Sequence, residues 1–193
     1  MDIRLLDVSA VIGLCAACAL TFNILLGMML STAYKRSTLW KELPDKIKKL
    51  HMVDVHNWTA YVALSLVFFH VLFLLLDSST KFTLANALWP VNAPHQKLEV
   101  AFGTIALYAL ITVIITTQKV VKKKMSFRLW KNIHLISYGT ALLFIIHGIL
   151  LDPNLKDQPV DWLDGEKLVP EICGLILVAA SVIRYRYHVK RKC

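Results

Sequence analysis

The stretch HNWTAYVALSLVFFH, residues 56–70, decides the fold. It opens and closes on histidine, and no charged residue lies between them. HLISYGTALLFIIH, residues 134–147, repeats the arrangement with the histidines one position closer. Each stretch belongs to a segment of about 20 mostly apolar residues, long enough to cross a bilayer as a helix. An imidazole buried there is expensive unless something binds it. At 1.5 Å per residue each pair is separated by about 20 Å along its helix. Four imidazoles, His56, His70, His134 and His147, therefore have the spacing to hold two haem groups, one near each membrane face.

The rest of the chain fits that setting. Of 193 residues 56% are hydrophobic and the mean hydropathy is +0.56, above the roughly 45–50% apolar content of soluble domains. We expect an all-α integral membrane bundle of about five transmembrane helices, at residues 8–33, 52–76, 98–117, 133–151 and 168–183. Residues 1–193 then form a single transmembrane haem-binding domain. The first apolar block is too long and wrongly flanked for a cleaved signal, so we read it as a retained span. Pro170 is tolerable in the first turn of the last helix.

Charge sets the orientation. Segments 35–49 and 119–131 carry six Lys/Arg each and the tail from Arg184 carries five, which places 17 of the 22 basic residues on one side. Cytoplasmic loops keep Lys and Arg, so the N-terminus is expected outside and the C-terminus in the cytoplasm. The net charge of +9 hugs the membrane edges and calls for a lipid bilayer, not nucleic acid. The opposite side is acidic around Asp152, Asp157, Asp161, Asp164, Glu166 and Glu171, read as a solvated loop. Trp40, Trp89, Trp130 and Trp162 fall near the expected faces, as interfacial aromatics do. Cys15 and Cys18 have C-x-x-C spacing within a span, where small-residue packing is the simpler role than redox or metal chemistry.

In this topology the second and fourth spans run in the same direction. His56 and His134 then share the cytoplasmic level, and His70 and His147 the outer level, one imidazole from each helix. Neutral imidazole is a good iron ligand. Helical phase supports one span and troubles the other. Fourteen residues return to within about 40° of the same face, whereas thirteen leave an offset of about 140°. The fourth span must bend near Gly139 or Gly148, or its two haems must approach from different azimuths. A metal or proton transporter would want acidic or thiol partners at mid-membrane, and these spans offer only Asp54 and Asp77 at their ends. His51 reads as interfacial, His188 as solvated, and His95 as a surface residue or a neighbour of the outer haem. Depth nominates Lys49, Arg128 and Lys131 as inner propionate partners, and Lys81, His95 and Lys97 as outer ones. Tyr61, Phe68, Tyr138 and Phe144 fall between the two levels and would shorten the gap for electrons.

The four histidines, their 14/13 spacing, the co-directional helices and the basic cytoplasmic side resemble the ferric reductase-like transmembrane domain. NADPH oxidases, ferric-chelate reductases and six-transmembrane metalloreductases belong to that wider group. The resemblance implies electron transfer from cytoplasmic flavin and NAD(P)H through two stacked b haems to an outer acceptor. It implies His56 and His134 on the inner haem iron and His70 and His147 on the outer, with no catalytic residue in the chain. Five spans are read where the family usually has six, and only residues 184–193 follow the last of them. The donor is therefore expected in trans: a flavin reductase, a free flavin or a quinone. Acceptors consistent with this are a ferric chelate, oxygen, quinone or a periplasmic oxidoreductase. A short relative is the haem subunit of the periplasmic methionine-sulfoxide reductase system, which does not keep histidine at all four sites. Leu74 stands where oxidases place a histidine one turn beyond the outer ligand, which argues against dedicated superoxide production. The expected location is the cytoplasmic membrane of a prokaryote, with the chain acting as an oxidoreductase component.

Overall fold

A computed structural model describes residues 4–152, 155 and 165–190. It is all-helical, with 84% helix and no strand among the described residues. Five helices are long and apolar enough to span a bilayer: α1 (Leu5–Leu30), α2 (Met52–Leu76), α3 (Lys97–Thr117), α4 (Phe127–Leu150) and α5 (Gly165–Lys190). Asp157, Asp161, Asp164 and Trp162 of the acidic loop lie outside the described residues.

The helix ends follow local hydrogen bonding more closely than hydropathy. Helix α1 starts at Leu5 because the Asp7 carboxylate in its first turn accepts from the Arg4 backbone amide and guanidinium, so it begins and ends three residues before the expected span. Helix α4 begins six residues before its apolar stretch, where the Ser126 hydroxyl accepts from the Leu129 amide, as N-cap serines do. Helix α5 starts at Gly165, which puts Pro170 inside the helix rather than in its first turn. There Pro170 is fully buried, packed where a Cβ on Gly148 would meet it at 3.2 Å.

Helices α1 and α2 form one closely packed pair and α3 and α4 another; α5 packs on α1 and α4. Ala16, Leu20, Ala63, Val67 and Leu110 fill the centre of the bundle. One end is closed by Leu6, Phe82, Ala93 and Leu155, and Ile24, Met28, Ala141 and Leu177 join α1, α4 and α5 towards the other. Large apolar side chains such as Val11, Phe68, Leu175 and Ile183 point outward. An apolar exterior of this extent is what a lipid-facing bundle presents. Cys15 and Cys18 are free, exposed thiols on α1, and Cys18 lies within hydrogen-bonding reach of the buried Cys173 thiol on α5.

Candidate functional site

The four histidines meet in two pairs. The ring centres of His56 and His134 are 6.1 Å apart, and those of His70 and His147 are 6.3 Å apart. The planes within each pair are inclined at 75° and 78°. We call the His56–His134 level lower and the His70–His147 level upper. All four side chains are half-buried. A metal–imidazole bond is about 2.0–2.1 Å; two such bonds to one ion, with the ring radii added, would separate the centres by about 6.4 Å. Each pair therefore comes within a few tenths of an ångström of the separation that two imidazoles holding one haem iron would have. Among the described residues no group of three or more His, Cys, Asp or Glu side chains gathers to hold a metal ion. Two imidazoles per level thus suit a metal whose remaining ligands come with it, as a porphyrin supplies them.

Three of the rings are fixed from behind by the same device. The His70 Nδ1–H donates to the Ser9 carbonyl at 2.8 Å, the His56 Nδ1–H to the Asn23 carbonyl at 3.1 Å, and the His147 Nδ1–H to the Glu99 carbonyl at 2.8 Å. A carbonyl can only accept, so each ring carries its proton on Nδ1 and leaves the Nε2 lone pair for a ligand. Four residues after each of these carbonyls the chain has glycine: Gly13, Gly27 and Gly103. A helical side chain leans towards the N-terminus and covers the preceding turn, so a glycine there uncovers the carbonyl. A Cβ at Gly13 would lie 2.9 Å from His70 Nδ1, at Gly27 3.2 Å from His56 Cε1, and at Gly103 3.0 Å from His147 Nδ1. Ser9 Oγ also donates to the His70 carbonyl at 2.8 Å, and Asn23 Nδ2 to the His56 carbonyl at 2.6 Å. Helix α1 thus holds α2 at both levels.

His134 is held differently. Its Nδ1 is buried without a hydrogen-bond partner. The ring stacks on Trp130 at 5.3 Å and 17°, and the Lys122 ammonium lies 3.8 Å from the centre of that indole. The register that sets Gly103 against His147 brings Thr116 to the level of His134, and its hydroxyl is turned back onto its own helix.

The thirteen-residue offset on α4 is accommodated without a break, since Phe127–Leu150 is one continuous helix. Its two histidines face different neighbours: His147 sits against α3 at Gly103, whereas the lower part of α4 meets α1 and α5 through Ala141 and Tyr138. The upper pair opens on a cavity lined by Leu6, Val67, Phe82, Leu107, Phe144 and Pro170 among others, an apolar chamber of the kind that suits a large flat ligand.

Most of the other nominated residues face outward. Lys49, Lys81, Lys97, Arg128 and Lys131 are exposed. His51 pairs at the surface with Asp54 at 3.1 Å. Tyr61 turns outward to exchange hydrogen bonds with Gln118, and Phe68 is 62% exposed. Phe144 packs between the levels on the central cluster, and Ala63 and Val67 fill the space between the two histidines of α2. Two cations were not singled out from the sequence. Lys167, 4% exposed, donates from Nζ to the Ile149 and Leu151 carbonyls at 2.7 and 2.9 Å, closing the C-terminus of α4 where a positive charge is favoured. Arg184 donates to the Tyr138 hydroxyl.

No curated protein and no solved structure matches the chain. A family model described as ferric reductase like transmembrane component matches residues 12–145, taking in His56, His70 and His134 and stopping two residues before His147. With five apolar helices and that match over more than half its length, this multi-pass membrane protein belongs to the family of ferric reductase like transmembrane components.

Proposed function

We propose that the chain is a two-haem b-type cytochrome that carries electrons across the membrane, with His56 and His134 holding one haem and His70 and His147 the other. The observation that carries this reading is the pair of ring separations, 6.1 and 6.3 Å, in an all-helical membrane protein of this family. Bound there, haem supplies one-electron chemistry that no side chain of the bundle offers. The chain's own residues present an imidazole from each side of each slot. The Ser9, Asn23 and Glu99 carbonyls keep three rings in one tautomer. The apolar cluster of Leu6, Phe82, Ala93 and Leu155 keeps water from the upper slot.

The basic segments place the lower level at the cytoplasmic face by the positive-inside rule. Electrons then move from an inner donor in trans, a flavoprotein, free flavin or quinone, to an outer acceptor such as a ferric chelate, oxygen, quinone or a periplasmic oxidoreductase. Export is assisted by an inside-negative potential, about 2.3 kcal/mol per charge per 100 mV. The single domain spans the whole chain in this account. A transporter built on the same histidines is the weaker reading, because neither level gathers a third donor among the described residues.

The test is a vesicle assay with reduced flavin enclosed and a ferric chelate outside. Wild-type protein is expected to reduce the external chelate, and His56→Ala, His70→Ala, His134→Ala and His147→Ala each to abolish the reaction. Transfer that persists in any of the four variants contradicts the proposal.

A further inference from the structure

Arg184 is aimed at a phenol, not at a counter-ion. Near the end of a membrane helix an arginine lowers its cost by snorkelling, running its stem towards the nearer interface. The register of α5 against α4 gives the level of this one. Pro170 lies against Gly148 and Gly174 against Ile145, and Leu177 clusters with Ala141. This antiparallel register, continued down the helices, sets the backbone of Arg184 level with His134. Its guanidinium is hydrogen-bonded to the hydroxyl of Tyr138, the residue one turn beyond His134 on α4, and lies 5.6 Å from the centre of that ring. Tyr138 stands four residues from His134, within about 40° of the same helical face. Both side chains are half-buried. Among the described residues no carboxylate forms an ion pair with Arg184.

We infer that Arg184, steadied by Tyr138, is the anion subsite of the lower slot and takes a porphyrin carboxylate of the haem held by His56 and His134. The inference rests on the two-haem reading and goes beyond it by assigning a residue that the charge pattern had placed in a topology signal. A cation at membrane depth seeks an anion. The guanidinium fork matches a carboxylate bidentately and keeps its charge under all conditions. Helix α5 packs on both α1 and α4, so a cation on it at this level borders the lower slot.

The experiment is a potentiometric titration of the purified, haem-loaded protein with Arg184→Gln, Arg184→Lys and Tyr138→Phe, combined with haem release to an excess of a soluble haem-scavenging apoprotein. His134→Ala identifies which spectral component is the lower haem. Removing a cation beside the iron disfavours the added electron. Arg184→Gln is therefore expected to shift the reduction equilibrium of the lower haem about tenfold towards the oxidised form, about 59 mV for one electron, and to speed its release at least tenfold. Arg184→Lys should fall between, and Tyr138→Phe should shift it least. The upper haem, titrating in the same molecule, should stay at its wild-type value and so report an intact fold.

An unchanged lower potential and release rate in Arg184→Gln overturns the inference and leaves Arg184 an ordinary interfacial arginine. So does a shift that appears only in nanodiscs containing anionic phospholipid, since the anion is then a lipid phosphate. A wild-type protein that takes up no haem overturns the parent reading itself, an outcome distinct from both.

Discussion

Replacing Gly13 by alanine puts the mechanical core of the account at risk. The added Cβ would sit 2.9 Å from His70 Nδ1 and 3.1 Å from Cε1, against a comfortable separation of about 3.5 Å or more. The ring must retreat by about half an ångström. Its hydrogen bond to the Ser9 carbonyl, now 2.8 Å, would stretch past the roughly 3.2 Å limit of good N–H···O geometry. Losing that bond in a buried place costs about 1–3 kcal/mol, and disturbing the partner behind a metal-ligating histidine weakens metal binding about 10–100-fold. The two ranges agree. Alanine also favours the helix itself by about 0.8–1 kcal/mol over glycine, which offsets part of that cost, so the apoprotein should lose no more than about 2 kcal/mol. The assay is haem release into a scavenging apoprotein, followed together with thermal unfolding. Gly13→Ala and Gly103→Ala should each speed release of one haem, the upper, about 10–100-fold. Gly27→Ala, where the contact is 3.2 Å to His56 Cε1, should loosen the lower haem by less. Gly139→Ala, which meets nothing within 4 Å, should change neither. Equal release rates for Gly13→Ala and Gly139→Ala would refute the reasoning.

Asn23→Ala removes donors that reach the His56 carbonyl and Thr59 Oγ1 at 2.6 and 2.7 Å; a loss of about 1–3 kcal/mol in unfolding free energy is expected in a denaturation series. Lys167→Met leaves two carbonyls at the end of α4 without their donor and should cost about 1–2 kcal/mol, read as a lower Tm. Asp77 lies beyond the end of α2, its carboxylate held below the ordinary value of 3.8 first by the Ser79 hydroxyl, with the Leu6 and Ser79 amides and the Arg4 charge assisting. A depressed folded-state value means that the clamp on α1, the Leu6 amide donating to Asp77 at 2.8 Å, is fully present above about pH 4 and is lost as the pH falls through the folded value. Hydrogen exchange at the Leu6 amide, corrected for intrinsic rates, should rise on acidification below pH 4 in the wild type and be pH-independent in Asp77→Asn.

Much of this architecture is legible in the residues. Blocks of apolar sequence gave the number of spans, because a bilayer demands length and hydrophobicity and little else. Matching depths on two co-directional spans gave both pairs, although helical phase supports only α2, where 14 residues is close to four whole turns. Other features depend on neighbours. Ser126 begins α4 well ahead of its apolar part, since a cap acts through one hydrogen bond that hydropathy does not register. The acceptors for three imidazoles are backbone carbonyls, and which ones they are depends on how α1 and α3 are set against their partners. A trace of this was present: Gly13 and Gly27 are spaced like His56 and His70, and Ser9 and Asn23 likewise. Tyr61 and Phe68 were nominated by depth alone. Phase counts against both, since they stand about 140° and 120° around α2 from His56, and both side chains face outward. Arg184 was absorbed into a basic tail because charge counting ignores where a side chain is aimed.

The central claim is tested most directly by the haem content and low-temperature electron paramagnetic resonance of the purified, oxidised protein. The account predicts two haems b per chain, both low-spin with two imidazole ligands, with His56→Ala or His134→Ala removing one signal and His70→Ala or His147→Ala the other. A colourless protein, or high-spin haem with one axial ligand in the wild type, would contradict it.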